Sequence, residues 1–202
     1  MNKKLLLIFL LAQFLFTVPG FCRPPQKLEF PPLKFASPHI RTPSLPNGVT
    51  LYLLQDKELP LISLSLTVRT GTQYESADEA GLASLCGAMI RAGGTQSRKV
   101  EEINEELEFL GASVESSIDT EQAGASLSVL KKDLDRGLEI FADVLLNPAF
   151  DPAKLEIEKA KLIETIRRRN DEPYPIARRE FRKILYGTRH PFSRTTEIPT
   201  VR

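Results

Sequence analysis

The sequence predicts an α+β fold: a mainly antiparallel sheet with helices packed on one face. Three observations carry this. Strand-like runs with period-two alternation follow one another through short turns, helical runs with 3.6-residue spacing stand between and after them, and nothing repeats at a period of 20 to 50 residues. Short turns between successive strands favour antiparallel pairing, because a parallel pair needs a long crossover.

The elements follow in order. "LPNGVTLYLLQD" places Asn47-Gly48 before an alternating β-branched and aromatic run, a hairpin signal. In "LPLISLSLTVRTGT", Ile62, Leu64, Leu66 and Val68 share one side of a strand and Leu61, Ser63, Ser65 and Thr67 the other, so the apolar side is expected on a core. A helix covers Ala80 to Ala92. A second repeats Val100, Ile103, Leu107 and Leu110 and ends at Gly111. Two strands follow, Ala112 to Ile118 and Ala123 to Leu130, joined by an acidic turn around Asp119. Leu134, Leu138, Phe141 and Leu145 fall on one face of a helix stopped by Asn147-Pro148. Pro152 opens a helix running from about Asp151 to Asn170, and a last helix spans roughly Pro175 to Tyr186.

At 202 residues with 42% hydrophobic content, the chain is long enough for one domain with a real core. Lys and Arg number 27 against 26 acidic residues, so no global field draws it to nucleic acid or to an acidic membrane surface. Small or peptide partners fit better. Lys3 and Lys4 precede an apolar run from Leu5 to Val18, the pattern of a secretory signal; residues 1–20 are expected to be removed after Gly20, with Cys22 as second choice. The run is shorter than the roughly 20 residues a spanning helix needs. Residues 21–45 are proline-rich and read as a linker running into an edge strand, and 46–202 as the folded domain. Cys22 and Cys86 are the only cysteines, which excludes a disulfide framework and leaves Cys86 as a small buried hydrophobe.

The helix in "AGLASLCGAMIRAGGT" carries small residues at its centre, Ser84, Gly87 and Ala88. With "LPNGVTLYLLQDKELPLISLSLTVRTGTQYES" before it and "LEFLGASVESS", "LEIFADVLLNPAFDP", "ETIRRRNDEP" and "LYGTRHPF" after it, the chain resembles the N-terminal domain of the insulinase-like zinc peptidases, the family of pitrilysin and the mitochondrial processing peptidase. The resemblance covers nearly everything after residue 40. Active members carry H-x-x-E-H on this helix, two zinc-binding histidines and a glutamate that activates the metal-bound water. The matching positions are Ser84, Gly87 and Ala88, and the family's third ligand, a glutamate on a later helix, matches Glu164.

Glu164 alone holds no catalytic zinc, which normally takes three protein ligands. His39, in the proline-rich segment, and His190, in a late loop, offer no substitute motif, and Ser84 has no neighbouring base to make it a nucleophile. No catalytic, cofactor-binding or metal residue is therefore assigned, and no cofactor is expected in this chain. Glu164 reads either as an ion-paired surface residue, with Arg168 at i+4, or as an inward-pointing relic on a face with Ile157 and Ala160. The Arg167 to Arg169 run reads as a solvated helix end.

The resemblance implies an exported, periplasmic or secreted, noncatalytic homologue that pairs with an active zinc-bearing subunit and helps enclose unfolded peptide, holding it along a sheet edge. It also implies that the chain continues beyond Arg202 into a second, similar domain. The alternatives are a zinc metalloendopeptidase whose ligands come from elsewhere, and a stand-alone periplasmic peptide binder. If Ser84, Gly87 and Ala88 occupy the motif positions, Ser84→His, Gly87→Glu and Ala88→His should rebuild a zinc site with Glu164. Gly87→Glu should favour the helix by roughly 1 kcal/mol, opposed by overpacking of about 1 to 3 kcal/mol if the small residues let another element approach closely.

Overall fold

The computed structural model describes residues 37–201. The expected signal segment, Cys22 and most of the proline-rich stretch lie outside them. The chain divides into two compact units after Gln55.

In the first unit the described residues form a small hairpin. Arg41 pairs with Leu53 and Ser44 with Thr50 as isolated antiparallel bridges around the Asn47-Gly48 turn. Gly48 has φ +85°, and the Leu45 N–H donates to the Val49 carbonyl at 2.8 Å. The expected hairpin is present, but its arms are bridges rather than strands, and a domain start at residue 46 would cut between them. Proline explains the short pairing: Pro43 and Pro46 have no N–H to give to a ladder.

The second unit holds a sheet of three strands, β1 (Leu61–Val68), β2 (Ser113–Ile118) and β3 (Ala123–Leu130), all antiparallel in the order β1-β3-β2. Register pairs Ile62 with Val129, Leu64 with Leu127 and Leu66 with Ala125, while Val114 also meets Leu127. The opposite face pairs Ser63 with Ser128, Ser65 with Ser126 and Glu115 with Ser126. One side is apolar and one polar, so helices cover only the first. Val68, expected with the apolar row, is 48% exposed at the strand end.

The helices are α1 (Leu82–Ala92), α2 (Val100–Leu110), α3 (Leu134–Leu146), α4 (Pro152–Arg168), α5 (Pro173–Tyr186) and the short α6 (Ile198–Val201). Gly111, in the left-handed conformation at φ +59°, ends α2 as the sequence predicts. The Asp151 carboxylate caps α4, accepting from the Ala153 and Lys154 amides at 2.7 and 3.3 Å. Helix α5 starts at Pro173, earlier than expected, because a proline at the first helical position surrenders no hydrogen bond. The core joins Ile103 and Leu107 of α2, Val114, Ala125, Leu127 and Val129 of the sheet, and Ile140, Phe141 and Val144 of α3.

Helix α3 keeps most of its expected face: Phe141 is in the core and Leu134 and Leu145 pack against it, while Leu138 does not. Its buried residues are Gly137, Ile140, Phe141 and Val144, whereas Leu138 is 37% exposed and Leu145 half-buried. Gly137 lies close against Val129, where a Cβ would fall 3.0 Å from Val129 Cγ2, so the helix centres its contact with the sheet on Gly137, Ile140 and Val144 and leaves Leu138 at the edge. Among the described residues, no helix is long and apolar enough to cross a membrane.

Candidate functional site

Helix α1 is the place where the sequence puts the lost motif. Its start is capped from outside: Gly81 and Ala83 amides donate to the two oxygens of the Glu75 carboxylate, at 3.2 and 2.5 Å. Glu75 is itself tied down, because Arg194 donates to its carbonyl and to that of Thr72. Thr200, before the end of α6, donates to the Ala80 carbonyl at 2.7 Å. Glu75 is six and eight positions from the amides it caps, whereas Arg194 and Thr200 stand more than a hundred positions from their partners, where no local signal announces them.

The rest of α1 lies directly on β2. Ser116 Oγ donates to the Gly87 carbonyl at 2.7 Å, and Arg91 Nε to the Val114 carbonyl at 2.9 Å while its Nη2 reaches Asn104 Oδ1 at 2.6 Å. Burial lowers the Arg91 pKa from its ordinary value, against the opposing pull of the Glu115 charge. Gly87 is buried at this contact. A Cβ built on it would fall 2.5 Å from Ile118 N and 2.9 Å from Ser117 C, both backbone atoms of the strand. No side chain fits at position 87 unless helix and strand move apart.

Ser84 is exposed and Ala88 half-buried on the same helix. Ser84 borders a crevice of about 170 Å³ whose charged groups are Glu75, Asp119 and Arg194. The Glu75 carboxylate is already committed to helix amides, so it is not a free base for Ser84. Cys86 is a half-buried free thiol, less enclosed than expected.

Glu164 is on the surface of α4, its side chain 48% exposed, with Arg168 Nε at 2.7 Å and Arg167 Nη1 at 3.6 Å. The Arg168 hydrogen bond and charge, followed by Arg167, hold its carboxyl below the ordinary value. The ion-pair reading holds. The inward-pointing reading does not, because the face it shares with Ile157 and Ala160 is the exposed one: Ile157 is 49% exposed, and the buried residue of α4 is Ile166. The charge run at Arg167 to Arg169 is only partly solvated, since Arg169 turns back to the Thr196 carbonyl and to Glu197.

His190 is also taken up structurally. Its Nδ1 accepts from the Phe192 amide at 3.2 Å, and its ring stacks on Tyr186 with centroids 5.2 Å apart. His39 is exposed in the first unit. Among the described residues no group of three His, Cys, Asp or Glu side chains could hold a metal ion. The donor set of the matched positions therefore does not fit zinc: a hydroxyl, a glycine pressed on backbone, a methyl, and a carboxylate engaged by two arginines.

Comparison with known proteins agrees with this architecture. The model of the insulinase family, peptidase family M16, matches residues 52–198. A probable mitochondrial-processing peptidase subunit beta from Arabidopsis thaliana is 27% identical, covering 66% of this chain and 28% of the relative. An uncharacterized zinc protease from Rickettsia felis is 24% identical over 70% of this chain and 34% of its own length. The crystal structure of a peptidase M16 inactive domain from Pseudomonas fluorescens superposes with a TM-score of 0.69 at 28% identity, covering 77% of this chain and 38% of that one. The chain thus spans about a third of the length of the curated relatives it matches. A match over most of the chain, on a sheet and helices in the family's order, places this protein in the insulinase family of peptidases, M16.

Proposed function

We propose that this chain belongs to a noncatalytic M16 protein that pairs with an active, zinc-bearing subunit and helps to enclose unfolded peptide. The observation that carries the reading is the seating of α1 on β2 at Gly87, which occupies the space a general base would need. A fold that keeps its sheet and helices while closing that space is suited to holding a substrate rather than cutting it. The relative named as a subunit and the neighbour named as an inactive domain support the same reading. Zinc then resides in the partner. The peptide would be held extended, added as a strand along an outer strand of the sheet such as β2.

Affinity purification of the full-length protein in a mild buffer should recover an M16 subunit with an intact H-x-x-E-H. Recovery of self-associated chain alone would overturn the pairing, and zinc-dependent proteolysis by this protein alone would overturn the noncatalytic assignment. The basic start and apolar run before Gly20 further support export to the periplasm or beyond. Mass spectrometry of the mature protein should find a terminus near Phe21, and an intact Met1 in that form would refute export by cleavage.

A further inference from the structure

Helices α4 and α5 and the loop at 192–196 surround a cavity of about 380 Å³. Its walls carry Arg169, Arg178, Arg179, Arg182 and Arg194, and no acidic residue lines it. Leu162, Ile166 and Phe192 give it apolar lining as well.

Two of the five arginines have a carboxylate. Arg169 Nη2 reaches both oxygens of Glu197, at 2.9 and 2.7 Å, and Arg179 Nε reaches Glu180 Oε1 at 3.1 Å. Arg194 Nη1 donates to the carbonyls of Thr72 and Glu75, and the same side chain borders the crevice that holds Glu75 and Asp119. The guanidinium groups of Arg178 and Arg182, one turn apart on α5, have no hydrogen bond or ion pair among the described residues. Two arginines, Arg178 and Arg182, therefore line one cavity without a carboxylate partner among the described residues, beside apolar side chains.

Guanidinium groups recognise carboxylates through paired N–H···O bonds, and a low-dielectric surface alongside strengthens the attraction. A bare inorganic anion would answer the charge but leave Leu162, Ile166 and Phe192 uncovered. We propose that this cavity binds a carboxylate carried next to an apolar side chain. A peptide supplies that pairing at a C-terminus ending in Phe or Leu, or at an acidic residue beside such a side chain. Peptide as the carrier rests on the reading of this protein as a peptide holder; the charge and shape of the cavity do not.

Isothermal titration of the full-length protein with N-acetylphenylalanine, N-acetylphenylalaninamide and inorganic phosphate tests the site without any peptide. The acid should bind, the amide and phosphate at least about tenfold more weakly, and R178Q/R182Q should weaken the acid about tenfold or more. The single variants R178Q and R182Q should each show part of that loss, with unchanged melting curves. Amide or phosphate binding as tight as the acid, or indifference to both arginines, would overturn the proposal. A second titration compares a decapeptide ending in a free Phe carboxylate with an amidated decapeptide containing an internal Glu-Phe. Binding of one identifies the source of the carboxylate. Binding of the small acid with neither peptide leaves the cavity standing and sinks the peptide-holding reading; peptide binding insensitive to Arg178 and Arg182 does the reverse.

Discussion

A glycine in the middle of a helix is ordinarily a loss of about 1 kcal/mol that a better helix former would recover. At Gly87 the sign reverses, because the backbone of Ser117 and Ile118 occupies the place of its Cβ. Gly87→Glu is expected to destabilise the fold by about 1 to 3 kcal/mol or more through overpacking, and to bury a carboxylate against backbone besides. Urea denaturation measures this. The triple change Ser84→His, Gly87→Glu, Ala88→His therefore should not restore stoichiometric zinc, and metal analysis after dialysis checks it. Glu164→Gln should leave both the melting temperature and the metal content unchanged, since the carboxylate is exposed and its partners are surface arginines. Stoichiometric zinc in the triple variant, lost on Glu164→Gln, would show that α1 can lift from β2.

Periodicity in the sequence located every main helix and strand of the second unit, because the 3.6 and 2.0 repeats are local properties of the chain. Whether Leu138 joins Leu134, Phe141 and Leu145 against the core was not local. Ile140→Ala should cost about 2 to 5 kcal/mol, whereas Leu138→Ala should cost much less, and paired denaturation curves separate them. Between α1 and α3 a polar clasp does similar work: Thr95 Oγ1 and Ser97 Oγ donate to Asp143 Oδ2 at 2.7 and 2.8 Å, and Asn147 Nδ2 to Oδ1 at 3.0 Å. Burial raises the Asp143 pKa, but the bonds from Thr95, Asn147 and Ser97 together outweigh it and hold the group below its ordinary value. A carboxyl depressed in the fold stabilises it above the unfolded pKa of about 4, and that contribution is lost as pH falls below it. Asp143→Ala should cost about 1 to 3 kcal/mol at neutral pH, and its deficit relative to the parent should shrink as pH falls below about 4. A deficit that stays constant with pH would show the clasp does not depend on charge.

For the molecule as a whole, stability should not depend on metal. Chelation with EDTA is expected to leave the melting temperature unchanged, since a ligand stabilises only what it binds in the folded state, and the described residues offer no three-ligand cluster. A drop on chelation would locate a metal site outside them. The sequence by itself determined the α+β class, the family, and the absence of histidine and glutamate from the motif positions, all of which reside in residue identity and short-range spacing. Only the tertiary structure decided that Gly87 is pressed on a strand, that Glu164 is turned to solvent, and that arginines from two helices and a loop line one cavity. Those facts depend on how close a helix comes to its sheet and how far it is rotated, and both are set by contacts such as Gly87 on Ile118 and Thr200 on Ala80 between residues far apart in the chain.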